Sequence, residues 1–554
     1  MDTELKKIFE NSSDEKHYSP NTYSIIPEGK AELKITSAQN ANWTYANFFI
    51  QNDNNTITDY KVNEGQYVIL KEDGIWNLYD YKKARKASGY SEIKNFVNLV
   101  VEAEKVRNNI LNGKPLTPMI NIEVDSGYDV FITAFRTKPF LLLAGISGTG
   151  KSRIVRELAF KSCPRYLQDK NGTTPGNYCM IEVKPNWHDS TELLGYYSRL
   201  GKSPGYQFTK FVKFLVKAKM FPNVPFFVCL DEMNLAPVEQ YFAEILSILE
   251  TRKVIIGEDG KKTIKTETII DAEHFKAFGK IAGFDQNFTD RDIYMKLNDI
   301  DTESAIADEV GRRVDLKTEG LTLPDNVVII GTVNMDDTTH QFSRKVIDRA
   351  MTIEMNGGNL RNMFGGSKNL EYLPDEEQQK WQNAFVRQYV TADEVLEAHS
   401  DVAGKLVEKL PEKLEQINKA LKGTPFEVSY RVLNELTIMV GVMLDEGKDL
   451  SDAIALSVNN ILLMKILPRI EGDAEMFALS KEYKNKVGVS YDNRLEWLKE
   501  LAPVIQETSS GTTPENGDTE EPVEKNEEHQ QTAKEKIQEM IDRLNNQEFT
   551  RFWP

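Results

Sequence analysis

The run Gly145-Ile146-Ser147-Gly148-Thr149-Gly150-Lys151-Ser152 has the spacing G-x-x-x-x-G-K-[ST]. Glycines so placed let a backbone curl tightly enough to aim its N–H groups at phosphate oxygens, and a following helix adds a favourable dipole. In such a loop Lys151 reaches the β- and γ-phosphates of a nucleoside triphosphate, and the Ser152 hydroxyl ligates Mg²⁺. Further along, Asp231-Glu232 supplies two carboxylates with different duties. Asp231 holds Mg²⁺, usually through water, and Glu232 polarises the attacking water. Asn334, with Asp337 shortly after it, offers an amide to orient that water; the other reading of Asn334 is an Asx turn. Arg344 and Arg349 follow. A guanidinium offered to a neighbouring subunit's γ-phosphate adds about 10³ to 10⁵ in rate, whereas the same arginines can simply pair with surface acids.

These groups need a scaffold that brings them together. Pro139-Phe140-Leu141-Leu142-Leu143-Ala144 reads as a buried strand leading into the loop, with a helix from Lys151. Pro225-Phe226-Phe227-Val228-Cys229-Leu230 is a second such strand, ending at Asp231 and followed by a helix from about Pro237. Asn326-Val327-Val328-Ile329-Ile330-Gly331-Thr332 is a third, ending near Asn334. Continuous apolar strands alternating with helices predict a parallel sheet covered on both faces. From about Met363 to Leu501 the periodicity is almost wholly helical. Upstream, Tyr18 to Tyr81 offers short aromatic and β-branched runs, such as Trp43–Ile50 and Gln66–Leu70, separated by Asn, Asp and Gly. A helical stripe from Ser91 to about Leu111 links the two regions.

The expected fold is therefore α/β: a P-loop parallel sheet followed by a helical C-terminal region and preceded by a small β-rich N-terminal domain. The expected division is 1–90, a β-rich domain; 91–130, a helical connector; 131–360, the nucleotide-binding core; and 361–505, a helical domain. After these come 506–531, an acidic linker too polar to fold, and 532–554, a last helix with an aromatic tail, Phe549, Phe552 and Trp553. Those aromatics either dock on a partner or form a loosely packed end.

With 554 residues the chain has room for about three cores. Its net charge of −17 argues against a protein that coats nucleic acid or anionic membrane through its overall field, so any polyanion contact must be local. Three scattered cysteines without CxxC spacing point to reduced thiols and a cytoplasmic location, with no zinc site. The start carries no apolar segment of signal-peptide type, and no membrane association is expected.

Taken in order, these pieces resemble the AAA+ ATPases and, within them, the McrB family, the nucleotide-hydrolysing subunit of modification-dependent restriction systems. Lys184-Pro185-Asn186-Trp187-His188-Asp189-Ser190-Thr191-Glu192-Leu193-Leu194-Gly195-Tyr196 is similar to the family's segment between its first two motifs. Asp231-Glu232-Met233-Asn234-Leu235-Ala236-Pro237-Val238-Glu239-Gln240-Tyr241-Phe242 is similar to its extended Walker B region. Asn334 and Asp337 fit its N-x-x-D loop, which combines sensor 1 with positioning of the lytic water, and Arg349 falls where its arginine finger is expected. Tyr430-Arg431-Val432-Leu433-Asn434-Glu435 resembles the lid motif whose arginine, here Arg431, serves as sensor 2 on the nucleotide, and Ile466–Gly472 resembles a late lid signature. The resemblance covers about Phe131 to Gly472 and implies ATP or GTP with Mg²⁺, a homo-oligomeric ring, most simply a hexamer, and a separate McrC-like nuclease subunit. In that family the N-terminal domain reads the target, often modified DNA, so the resemblance makes 1–90 a target-recognition or partner domain and 361–505 a helical C-terminal lid. Residues 1–95 here are not basic, and Trp43, Tyr45, Phe48, Phe49, Tyr67 and Trp76 can either stack on a flipped base or fill a β core.

Two other readings compete. Asp169 followed by Glu182-Val183-Lys184 superficially matches a nuclease metal site, although Met180 to Val183 can equally serve as another strand of the sheet. The chain also resembles MoxR or dynein-related AAA+ proteins that remodel proteins, a reading the acidic charge favours.

Overall fold

The computed structural model describes seven strands within residues 15–80, and then 126–553 except 170, 201–203, 257–261, 299, 301–315, 336–341, 356–369 and 506–530. The expected 91–111 helix, Asp337 and the acidic linker fall outside the described residues, as do the side chains of the N-terminal aromatics. Two units divide the chain, with the boundary near residue 120.

The first unit holds an antiparallel sheet: β1 (Glu15–Ser19), β2 (Thr22–Ile25), β3 (Glu32–Asn40), β4 (Trp43–Gln51), β5 (Ile57–Asp59), β6 (Tyr67–Glu72) and β7 (Ile75–Asp80). Its order is β1-β2-β3-β4-β6-β7, with β5 on β4. The aromatic runs read from the sequence are β4 and β6.

The second unit is built on five strands: β8 (Phe140–Gly145), β9 (Tyr178–Glu182), β12 (Phe226–Asp231), β17 (Val327–Asn334) and β18 (Met351–Glu354). Their order is β18-β8-β17-β12-β9, and every pairing is parallel. Alternation along each strand sends side chains to two faces. Leu141 and Leu143 of β8, Phe227 and Cys229 of β12, and Val328 and Ile330 of β17 enter one core. Phe140, Leu142, Phe226, Val228, Val327 and Ile329 enter the other. Both cores are covered by helices, which is why these strands read as unbroken apolar runs. The first is closed by helices Asp129–Thr137 and Lys151–Ser162 together with the lid. The second is closed by helices Lys210–Met220 and Ala243–Leu249.

The described residues of the charged 251–323 stretch also fold onto the second core. It forms a hairpin, β13 (Lys253–Ile256) with β14 (Lys262–Lys265), a pair β15 (Thr268–Ile270) with β16 (Leu321–Thr322), and helices Ala272–Ile281 and Asp290–Leu297. Phe275, Ile293, Tyr294 and Leu297 anchor those helices. A smaller hairpin, β10 (Tyr196–Ser198) with β11 (Gly205–Gln207), precedes helix Lys210–Met220.

The described part of the region expected as a lid is helical, with Ala403–Leu421, Tyr430–Asp445 and Leu450–Ile461 at its centre. Among the described residues one run, Leu450–Arg469, is long and apolar enough to cross a membrane. Ala453, Val458, Ile461 and Leu462 of that run lie in the first core, so packing within the protein accounts for its apolar character. The C-terminal segment, expected as a separate piece, belongs to this lid. Helix Ala533–Gln547 starts with Thr532 and Glu535 in a capping box, and Ile537, Met540 and Phe552 are buried in the lid core. The chain then forms β20 (Phe549–Arg551) against β19 (Glu471–Asp473). Phe552 therefore docks on its own lid, while Phe549 stays partly exposed. Cys163, Cys179 and Cys229 are free, as the sequence suggested, and all three are buried.

Candidate functional site

Because the five strands are parallel, their carboxyl ends share one edge, and five of the selected residues meet there. β8 ends at Gly145 and the loop turns into helix Lys151–Ser162. Gly148 at φ 86° and Gly150 at φ 82° occupy left-handed backbone that a side chain would strain. No side chain caps this helix, so its first-turn N–H groups face Gly145–Thr149 without a capping competitor. The Lys151 Nζ folds over the loop and donates to the carbonyls of Gly145 (3.1 Å) and Ile146 (2.6 Å).

The Ser152 Oγ donates to Asp231 Oδ1 at 2.5 Å. Both are hard oxygens, the donor chemistry Mg²⁺ takes when it keeps water and phosphate for its remaining positions. Thr332, which the sequence reading did not single out, ties the two acids together. Its hydroxyl donates to the same Asp231 Oδ1 (2.8 Å) and accepts from the Glu232 N–H (3.0 Å). Glu232 sits at φ 51°, one of two non-glycine residues with positive φ among the described residues. A left-handed glutamate costs of order 1–3 kcal/mol and persists only where its surroundings hold it. Here the Thr332 hydroxyl holds its N–H, and the Asn334 Nδ2 donates to its carboxylate at 3.1 Å. The Asn334 carbonyl is in turn held by Asn234 Nδ2 at 2.9 Å. Asn334 thus faces Glu232. The sequence signal for Thr332 was a hydroxyl inside an apolar strand, on the same face as Asn334.

The arginines lie elsewhere. Arg344 opens the short helix Arg344–Ile347, with its guanidinium 5.0 Å from the Phe426 ring centroid. Arg349 follows that helix and precedes β18, so it sits at the amino edge of the sheet. β8 has six residues, which separates this edge from the P-loop by roughly 20 Å. Arg349 Nε is 3.8 Å from Glu250 Oε1. Arg431 does not approach its own loop either: its Nη2 pairs with Glu250 Oε2 at 2.9 Å.

Behind these arginines is a buried charge cluster that the sequence reading missed. Glu435 bonds Lys138 and pairs with Lys465 at 3.0 Å. The Lys465 Nζ also donates to the carbonyls of Asp348 (2.6 Å) and Ala350 (2.8 Å), on either side of Arg349. Burial pushes the Lys465 amine down to about 7 against the pull of Glu435. Burial also acts to raise the Glu435 carboxyl, but Lys465 and Lys138 outweigh it and hold that group below its ordinary value. The available signal was one lysine inside Leu462-Leu463-Met464-Lys465-Ile466-Leu467.

Of the nuclease candidate, Glu182 ends β9 opposite Asp231. The Asp169 carboxylate is occupied by Thr173 Oγ1 (2.8 Å), the Thr174 N–H (3.1 Å) and the Tyr372 hydroxyl (3.0 Å). Among the described residues no group of three or more His, Cys, Asp or Glu side chains is placed to hold a metal ion.

A family model for a domain of unknown function (DUF8727) matches residues 385–549, less than a third of the chain. That span runs from just before the lid helices into β20, and includes Arg431, Glu435 and Lys465. No curated protein matches the chain. A solved structure described as "SCCmec type IV Cch - active helicase" aligns over 88% of this chain and 93% of its own, at 10% identity and a TM-score of 0.22. Similarity at that level does not amount to a common fold.

Proposed function

We propose that this chain is a nucleoside triphosphatase of the AAA+ type, hydrolysing ATP or GTP with Mg²⁺ to the diphosphate and phosphate. The observation that carries the reading is the convergence of Lys151, Ser152, Asp231, Glu232 and Asn334 at one sheet edge, beside an uncapped helix N-terminus. The strand order supports it, because β17 lies between β8 and β12 and so delivers Asn334 between the phosphate loop and the acids. The loop N–H groups and Lys151 bind the polyphosphate. Ser152 and Asp231 would hold Mg²⁺, which supplies charge neutralisation at the β- and γ-oxygens. Glu232 accepts the proton of an attacking water that Asn334 orients.

The position of Arg349 and Arg431 supports a shared site. Roughly 20 Å from their own loop, they serve a nucleotide only on a second copy that presents its carboxyl edge. Such a head-to-tail contact closes into a ring, and the resemblance implies six subunits. The motor of a McrBC-like restriction or phage-defence complex, cytoplasmic and working with a McrC-like nuclease on DNA, is the role that fits the Walker B and lid segments. The net charge of −17 favours the alternative of a MoxR- or dynein-related protein remodeller.

The test is hydrolysis of ATP and GTP against protein concentration, with and without DNA. Lys151→Ala should abolish nucleotide binding, and Glu232→Gln should bind but not turn over. A specific activity that stays flat across all dilutions sinks the shared site. Turnover by Lys151→Ala sinks the whole assignment.

A further inference from the structure

We infer that Glu250 is the resident anion of a two-arginine phosphate site at the amino edge of the sheet, displaced when a second copy of this chain presents the terminal phosphate of its nucleotide. The inference rests on the shared-site reading above and adds a residue to it.

The two oxygens of one carboxylate divide between arginines from separate elements: Oε2 lies 2.9 Å from Arg431 Nη2, and Oε1 lies 3.8 Å from Arg349 Nε. Two guanidinium groups repel each other, so their convergence on one point calls for an anion there. Glu250 is also the C-cap of helix Ala243–Leu249, where the helix dipole disfavours negative charge. Its place is explained by the surrounding cations, Lys138 included at 3.9 Å, rather than by the helix that carries it.

The grip is incomplete. Arg349 Nε is buried yet has no hydrogen-bond partner, so Glu250 at 3.8 Å leaves that N–H unsatisfied. The side chains of Arg349, Arg431 and Glu250 are 29%, 39% and 31% exposed, which leaves the site open to an incoming group. Meanwhile the Arg349 backbone is fixed by Lys465 on both sides. A terminal phosphate offers three oxygens and more charge than a carboxylate, in the geometry that arginine forks bind well. The exchange therefore favours phosphate, and the resident carboxylate opposes assembly until nucleotide is present.

The test is nucleotide-dependent self-association of the full chain, followed by sedimentation velocity with Mg²⁺ and a non-hydrolysable analogue of ATP or GTP. Glu250→Gln keeps the shape and removes the charge. It should lower the association midpoint about twofold to fivefold, the scale of partly exposed arginine–carboxylate contacts. Glu250→Asp, too short to span both arginines, should move the midpoint the same way by less. In an Arg431→Ala background the Glu250→Gln shift should shrink, a response that a purely structural glutamate would not give. If the natural chain shows no nucleotide-dependent association, the shared site falls and this inference with it. If it associates but Glu250→Gln leaves the midpoint unchanged or raises it, or shifts it equally in the Arg431→Ala background, the role of Glu250 alone is overturned.

Discussion

Replacing Thr332 by valine keeps the shape of a side chain that is 2% exposed and removes only its hydroxyl. That hydroxyl makes two bonds, one to Asp231 Oδ1 and one from the Glu232 N–H. A hydrogen bond to a charged group contributes about 1.5–3 kcal/mol, and an orphaned, partly buried N–H costs about 1–3 kcal/mol. Asp231 keeps Ser152, so a net loss of about 2–4 kcal/mol in unfolding free energy is expected. The effect on turnover has a separate origin. Glu232 is held at φ 51°, and without the Thr332 acceptor its backbone can relax toward ordinary φ. That rotation swings the carboxylate away from Asn334. Strain of about 1–3 kcal/mol, once no longer opposed, corresponds to a fall in kcat of roughly 10- to 100-fold. Nucleotide affinity should change less than about twofold, because the contacts of Lys151 are to the loop itself. Thr332→Ser, which retains the hydroxyl, should keep kcat within about threefold. Urea denaturation, equilibrium nucleotide binding and saturating-nucleotide kinetics read the three quantities. A full kcat in Thr332→Val, or an equal loss in Thr332→Ser, would refute the argument.

Other perturbations separate the charged groups. Arg349→Ala should lower kcat by about 10³-fold or more with nucleotide binding intact, whereas Arg344→Ala, which loses only its stacking on Phe426, should cost under about 1 kcal/mol of stability and little rate; equal kinetic losses would contradict the assignment. Lys536 is buried and pairs with Glu354 at 2.7 Å, so Lys536→Met should cost about 3–5 kcal/mol by stranding that carboxylate, and adding Glu354→Gln should recover part of it. A loss below about 1 kcal/mol in urea denaturation would mean that the C-terminal helix is not anchored there. For Lys465, a folded value of about 7 lies below the ordinary lysine range, so above about pH 7 the unfolded chain binds more protons than the folded one. Stability should therefore rise with pH between about 7 and the ordinary lysine value of about 10.4, at most about 1.4 kcal/mol per unit, and Lys465→Met should lose that slope. Parallel slopes in the two proteins would rule the titration out.

What the sequence made legible was local. β8, β12 and β17 are buried on both faces, and such strands announce themselves as apolar runs whatever packs on them. The loop, the paired acids and Asn334 were legible because each stands at the end of such a run. Thr332 was passed over because its partners, Asp231 and the Glu232 N–H, lie across a strand pairing that spacing does not specify. β18, only Met351–Glu354, is too short to show a pattern of its own. The 251–323 stretch shows no such run, because charged residues surround the few anchors, Phe275, Ile293 and Leu297, that hold its helices. The C-terminal aromatics were visible, but nothing local says that Phe552 enters the lid core.

The relation between lid and arginines was the least legible, and it has the largest consequence. Glu250 and Arg431 are 181 residues apart, and Lys465 and Asp348 are 117 apart. The lid does more than cover the first core. Through Lys465, in the π-helical turn Leu462–Ile466, it grips the peptide groups on both sides of Arg349, and through Arg431 it supplies the second guanidinium. A shift of the lid against the sheet cannot leave Arg349 where it was, because two of its neighbouring carbonyls would lose their donor. If nucleotide at one carboxyl edge engages the arginines of the next subunit, the strain it applies falls first on this cluster.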